Sequence, residues 1–193
     1  MPRVPDFSTA SRSFGPWHEL KGSASATVHQ WKVPGFMRPS EVILFRHGEE
    51  TPDPLDPDLS TRGRERAERL ATYLPAEFGA PDLLVAAAAN RSSIRCYLTM
   101  RPLGASTGMR IWTQLRATQV VQLAEALFSS VSIREKRVFV CWTHTHLPAL
   151  AKALGGRHGD YPDPWSESTF DLVLHLQYRA RRRVRIARVT QPF

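Results

Sequence analysis

The 193-residue chain contains only two cysteines. Two cannot build a disulfide framework, so a reducing, cytoplasmic setting is expected. No stretch of about 18 consecutive apolar residues occurs, so no transmembrane helix and no membrane partner are expected. The N-terminal stretch lacks the apolar core of a secretory signal, and Asp6 and Glu19 count against a transit peptide. There is no Walker-type phosphate loop and no glycine-rich dinucleotide fingerprint. No internal repeat is present, and the only compositional bias is a cluster of arginines near the C-terminus.

Hydrophobic residues make up 42% of the chain, which argues against wholesale disorder. The length fits one domain burying roughly 70% of its unfolded surface. The formal net charge of +8 raises the question of a polyanionic partner. That charge is concentrated at the ends: residues 177–193 carry +6, residues 1–38 carry +3, and residues 39–176 carry −1. Arg179 to Arg188 holds six arginines and no acid. No aromatic residues alternate with them as a base-stacking platform requires. The run reads as a solvated strand or tail, and nucleic acid is not expected as a partner.

Residues 1–38 are interrupted by Pro2, Pro5, Gly15, Pro16, Gly22, Pro34 and Gly35, and read as a loosely ordered arm. Residues 39–193 read as the domain, with the basic segment 179–193 at its end. Val42 to Phe45, Leu83 to Ala86 and Val138 to Trp142 are continuous apolar runs, as strands buried on both faces require. Ser60 is expected to cap a helix whose Ala67, Leu70, Ala71 and Leu74 share a face. Further helices are expected over 92–101 and 115–130, and another begins near Pro148 and ends before Gly155. A strand nearer the sheet edge is expected over 170–176, and one more over 182–190. Strands alternating with helices predict an α/β fold, a three-layer α/β/α sandwich around a mostly parallel sheet.

Such sheets bind ligands beyond the C-terminal ends of their strands. Two of the buried strands run into histidine there, as Arg46-His47-Gly48-Glu49 and as Thr143-His144-Thr145-His146. If those strands are neighbours, His47 and His144 share a rim. Gly48 permits close backbone approach. Arg46 brings a planar donor fork suited to phosphate oxygens and favours a neutral imidazole beside it. Neutral imidazole is a nucleophile, so His47 is a candidate for attack on phosphorus.

The segment Val42 to Glu49, VILFRHGE, resembles the signature of the histidine phosphatase superfamily, which includes the phosphoglycerate mutases. Three further stretches are similar to that family and come in its order: Leu59 to Leu74, Ser92 to Leu103, and Val138 to Gly155. The resemblance spans about residues 41–178. It implies a phosphoglycerate mutase-like fold and a phosphatase that forms a covalent phosphohistidine on His47. It implies a phosphate pocket of Arg46, His47, Arg95 and a protonated His144, with no metal or organic cofactor. Arg95 is preferred to Arg91 for its spacing to Thr99. The family's dedicated acid has no clear counterpart between Met100 and Arg137, where Glu125 and Glu135 look like surface residues. Glu49 and Glu50 are the candidate general acids, with Asp53 nearby. The implied partner is a small phosphorylated substrate or a phosphoprotein.

Other chemistries compete. His144-x-His146 with His47 and a carboxylate could bind zinc if the strand ran through both histidines, which Pro148 opposes. A cysteine phosphatase needs five residues between its cysteine and arginine, and Cys96 to Arg101 has four. A non-catalytic module that binds a phosphorylated ligand in the same pocket is the alternative to the enzyme.

Overall fold

A computed structural model describes residues 38–179 and 182–193, so the expected N-terminal arm, Arg38 excepted, lies outside the described residues. In chain order the elements are β1 (Glu41–Arg46), α1 (Thr61–Phe78), β2 (Leu83–Ala86), α2 (Arg95–Thr107), β3 (Ile111–Trp112) and α3 (Val120–Ser129). A short 3-10 turn at Val131–Ile133 leads to β4 (Arg137–Trp142), α4 (Leu147–Ala153), β5 (Leu172–Gln177) and β6 (Arg185–Thr190). The strands form one sheet in the order β3-β2-β4-β1-β5-β6. The first four in that order run parallel, β5 runs against them, and β6, antiparallel to β5, runs in their direction again.

Handedness distributes the helices. The crossovers through α1 and α2 step toward the β3 edge, and the crossover through α3 steps back. Right-handed connections then place α1 and α2 on one face and α3 on the other. Consistently, α1 packs on α2 and α3 packs on α4. The result is the mostly parallel sandwich expected. Val42, Ile43 and Leu44 of β1 and Val138 to Trp142 of β4 are fully buried, because both faces of these central strands are covered.

Helix α1 starts where Ser60 accepts from the Gly63 N–H at 3.1 Å. The Ser60 hydroxyl also donates to the Glu49 carbonyl at 3.2 Å, which ties the helix start to the loop after β1. Ala67, Leu70 and Leu74 are buried as their spacing predicts, while Ala71 is only half-buried.

Helix α2 differs from the expected 92–101. It starts later because the Asn90 side chain accepts from the Ser92 and Ser93 N–H groups at 2.8 and 2.9 Å, holding a turn. It also runs past Pro102 to Thr107. An interior proline costs a helix about 3 kcal/mol. The buried row of Met100, Leu103 and Gly104 outweighs that cost. Helix α3 is shorter than expected, since residues 116–119 form a turn in which the Gln119 side chain accepts from the Arg116 N–H at 2.9 Å. The two-residue β3 is too short to leave a periodic signal.

The arginine-rich segment supplies the outer strand. β6 pairs with β5 from Leu172↔Thr190 to Gln177↔Arg185, so β5 lies one strand in from the edge. Arg185 and Arg188 are exposed, and charge on an edge strand discourages pairing with another chain. Among the described residues, no helix is long and apolar enough to cross a membrane.

Candidate functional site

Strands β1 and β4 are parallel neighbours in a register that pairs Arg46 with Trp142. Their next residues therefore leave the sheet at one rim. The rings of His47 and His144 lie there with centroids 6.5 Å apart, at 68° to each other.

His47 is 2% exposed. Its Nδ1 lies 2.8 Å from the Gly48 carbonyl, an acceptor that assigns the proton to Nδ1 and leaves the Nε2 lone pair free. Burial lowers its pKa from 6.5 to about 4, and the Arg46 and Arg95 charges act in the same direction. At neutral pH the ring is uncharged.

The loop that carries His47 lies flat on the first turn of α1. A Cβ at Gly48 would come within 2.6 Å of the Gly63 carbonyl oxygen, and one at Gly63 within 2.3 Å of the Glu49 carbonyl oxygen. Only glycine at both positions allows that approach. From the other side, the Gly48 N–H donates to Thr99 Oγ1 at 2.9 Å. Thr99 in turn donates to the Arg95 carbonyl at 2.8 Å. One hydroxyl thus joins the His47 loop to the helix turn that carries Arg95.

The two arginines are held by backbone carbonyls. Arg46 is 2% exposed, donates through Nη1 to the Glu167 carbonyl, and lies 3.7 Å from the centroid of the Phe170 ring. Its Nε is buried without a hydrogen-bond partner among the described residues. Arg95 is the first residue of α2; its Nε donates to the Asp58 carbonyl at 3.0 Å and its Nη2 to the Asp56 carbonyl. Arg91, the competing candidate, is exposed in the preceding turn.

The two candidate acids point in different directions. Glu49 faces α1: its Oε1 accepts from Arg66 Nη2 at 2.8 Å and forms an ion pair with Arg62 Nε at 2.9 Å. Arg66 is itself buried and also donates to Gln191 Oε1 at 2.8 Å. Burial alone would raise the Glu49 pKa, but the Arg66 hydrogen bonds and the charges of Arg66 and Arg62 hold it below its ordinary value. Glu50 faces the histidines. Its Oε1 is 3.2 Å from Arg46 Nη2 and 3.7 Å from His47 Nε2, and its Oε2 is 3.4 Å from Arg95 Nη1. Asp53 closes a turn by accepting from the Leu55 N–H at 2.9 Å.

His144 is half-buried, with an Nδ1 that is buried and unpartnered among the described residues. Burial and the Arg46 charge lower its pKa from 6.5. Both disfavour the protonated His144 that the resemblance implies, while the charges of Glu50 and Glu167 act the other way. His146 does not join it. Its Nδ1 lies 3.0 Å from the Thr143 hydroxyl and 2.9 Å from the Thr145 hydroxyl, where the chain turns into α4. Among the described residues, the groups able to share a metal ion are His47, Glu50 and His144, with ligand atoms within 4.8 Å of one another. Two guanidinium groups already engage that carboxylate and oppose a divalent cation. Both cysteines are free and buried, and burial raises the Cys141 thiol well above its ordinary pKa, so it is no thiolate nucleophile.

No protein-family model matches the sequence, and no curated protein matches it. Solved structures do. SixA, a protein histidine phosphatase seen with tungstate, aligns with a TM-score of 0.57 at 14% identity, covering 78% of this chain and 96% of its own. An Agrobacterium tumefaciens protein described as a SixA phosphohistidine phosphatase aligns with a TM-score of 0.54 at 19% identity, over 79% of this chain and 98% of its own. The chain shares the phosphoglycerate mutase-like fold of these structures. A phosphoserine phosphatase mutant from Entamoeba histolytica in complex with phosphoserine shares that fold, with a TM-score of 0.52 at 10% identity over 76% of this chain and 94% of its own.

Within this fold, His47, Arg46, Arg95, His144 and Glu50 come together, whereas Glu49 and His146 are drawn to other partners. The Glu167 carbonyl and the Phe170 ring were not expected at the site. They lie more than a hundred residues from Arg46 in a turn-rich segment, and no local pattern marks them. Thr99 was noticed only for its spacing to Arg95, and its link to Gly48 emerges in the tertiary structure.

Proposed function

We infer that the chain is a phosphatase acting on a phosphomonoester or phosphohistidine-type bond through a covalent phosphate on His47. The carrying observation is the state of His47. Its ring is buried and neutral, Nδ1 is committed to the Gly48 carbonyl, and Nε2 opens between two arginines. Nε2 attacks phosphorus, the N–P bond forms, and the bond to the leaving atom breaks. Arg46 and Arg95 stabilise the charge on the transferring oxygens, the main demand of this chemistry. A phosphoryl dianion beside His144 raises the proton affinity of that imidazole and lets it donate to the same oxygens. Water then attacks the phosphohistidine and releases inorganic phosphate. None of these steps needs a metal or organic cofactor.

The fold neighbours include enzymes named for phosphohistidine and for phosphoserine, which supports a small phosphorylated substrate or a phosphoprotein. The two free, buried cysteines suit a cytoplasmic setting. Residues 39–193 would form the phosphatase domain. The alternative is a module that binds a phosphorylated ligand without turnover, since the same arginines hold a phosphate either way. Purified protein should hydrolyse p-nitrophenyl phosphate or a phosphohistidine peptide and form an acid-labile phosphoenzyme. His47→Ala should lose both activities while keeping its fold. A well-folded wild type with neither turnover nor phosphoenzyme refutes the enzyme and leaves the binding module.

A further inference from the structure

Glu50 occupies the place where a phosphoryl group must sit. Its two oxygens divide between the guanidinium groups, with Oε1 3.2 Å from Arg46 Nη2 and Oε2 3.4 Å from Arg95 Nη1. Oε1 is also 3.7 Å from His47 Nε2, the attacking atom. A reacting phosphorus must come within about 3–3.5 Å of that nitrogen. Its oxygens need the same two arginines, so the two anions exclude each other. The Glu50 backbone is pinned by a bridge to Leu59, but the side chain is 35% exposed and can swing out by changing rotamer.

We propose that the incoming phosphoryl oxyanion displaces the Glu50 carboxylate from Arg46 and Arg95, and that Glu50, protonated on release, gives its proton to the leaving atom. This inference rests on the phosphatase reading above. The charged and titratable groups facing Glu50 are Arg46 and His47 from the end of β1, Arg95 from α2 and His144 from the loop before α4. Glu167 stands near Arg46 and His144, and Glu49 on the same loop is turned to Arg66. Burial pushes the Glu50 carboxyl up, but Arg95, His47 and Arg46 together hold it below its ordinary value. When phosphoryl oxygens take those arginines, Glu50 loses its stabilising charges and gains a dianion beside it. Both changes raise its proton affinity. The proton comes from solvent at its exposed edge.

The two half-reactions balance. In the first, the Nε2–P bond forms, the bond from phosphorus to the leaving atom breaks, and the Glu50 proton passes to that atom. In the second, water attacks phosphorus, its proton passes to the Glu50 carboxylate, and the P–N bond breaks to restore the His47 lone pair. Glu50 returns its proton to solvent as it resumes its place between the arginines.

The test is calorimetric titration of the full chain with tungstate, near neutral pH, in two buffers of different ionisation enthalpy. The wild type should take up close to one proton per tungstate bound. Glu50→Gln should bind tungstate about tenfold more tightly or better, with no coupled proton. Its kcat should fall further on phenyl phosphate than on p-nitrophenyl phosphate, whose leaving group needs little proton help. Glu50→Ala provides a second variant without the competing anion. Tungstate binding without proton uptake, unchanged affinity in both variants, or uptake that persists in them (and so belongs to His144) would overturn the proposal. Proton-coupled binding in a protein that never forms phospho-His47 would sink the phosphatase reading and leave the exchange standing. A phosphoenzyme without proton uptake would do the reverse.

Discussion

Thr99 offers a sharp test of how the fold positions His47. Its side chain is 1% exposed, and its hydroxyl accepts from the Gly48 N–H at 2.9 Å while donating to the Arg95 carbonyl at 2.8 Å. Thr99→Val keeps a similar shape and helix propensity. It leaves the Gly48 N–H without its acceptor in a place water does not reach. A buried donor left unpaired costs about 1–3 kcal/mol. At ~2–4 °C per kcal/mol for a chain of this size, Tm should fall by roughly 2–12 °C. The His47 loop is also freed from α2, and misplacement of a nucleophile by about 1 Å can cost up to ~100-fold in rate. Thr99→Ser is the control: it loses about one buried methyl, near 0.8 kcal/mol, but keeps the hydroxyl and should keep most activity. Thermal unfolding and kcat/KM on p-nitrophenyl phosphate read the two effects separately. If the valine variant keeps wild-type kcat/KM, or the serine variant loses as much of it, the hydroxyl is not what holds the loop.

Further outcomes follow from the same geometry. Gly63→Ala places a Cβ 2.3 Å from the Glu49 carbonyl oxygen and 2.8 Å from its nitrogen, so backbone must move. It should cost about 1–3 kcal/mol or more in urea unfolding and lower kcat, although Gly63 touches no substrate. Glu49→Gln removes the charge that Arg66 was buried against and should cost about 3 kcal/mol. Because the Glu49 pKa is depressed in the fold, its stabilisation is present above the ordinary carboxylate range and fades as pH falls through the lowered value. The acid limb of a Tm-against-pH curve should therefore be shallower in Glu49→Gln than in wild type. His47, lowered from 6.5 to about 4, stays neutral in the fold where the unfolded chain takes up a proton. Stability linked to it should fall as pH drops from about 6.5 to about 4 and then level off. An NMR titration should place the His47 midpoint near the lower value, and a midpoint near 6.5 would show that the ring is not desolvated as described.

Much of the scaffold and of the candidate site could be read from local pattern. An apolar run buried on both faces, followed by Arg46-His47-Gly48, places a histidine at a strand end whatever the rest of the chain does. A second such run ending in His144 places another, and only their pairing remained to be seen. The cap at Ser60 and the stripe Ala67, Leu70 and Leu74 were legible because capping and amphipathic spacing act within a few residues. Where the reading stopped short, a distant partner or packing overrode local preference. Helix α2 continues through Pro102 because Leu103 and Gly104, just beyond it, are buried. β3 is too short to show a period, and the arginine run becomes an edge strand because β5 offers it a free side.

The sequence by itself marked Arg46, His47, Arg95 and His144 as candidates, because strand ends and the glycine beside His47 are local features. Only the tertiary structure decided how Glu49 and Glu50 divide their roles. The two are adjacent in the chain and identical in chemistry. Glu49 meets Arg66, buried on α1, and is held as part of the fold. Glu50 meets Arg46 and His47 from the end of β1 and Arg95 from α2, the groups proposed above to hold a phosphoryl group. The charge on a carboxylate is known from its residue type. Its partners are set by which helix and strand ends converge on it, and that depends on packing among residues far apart in the chain.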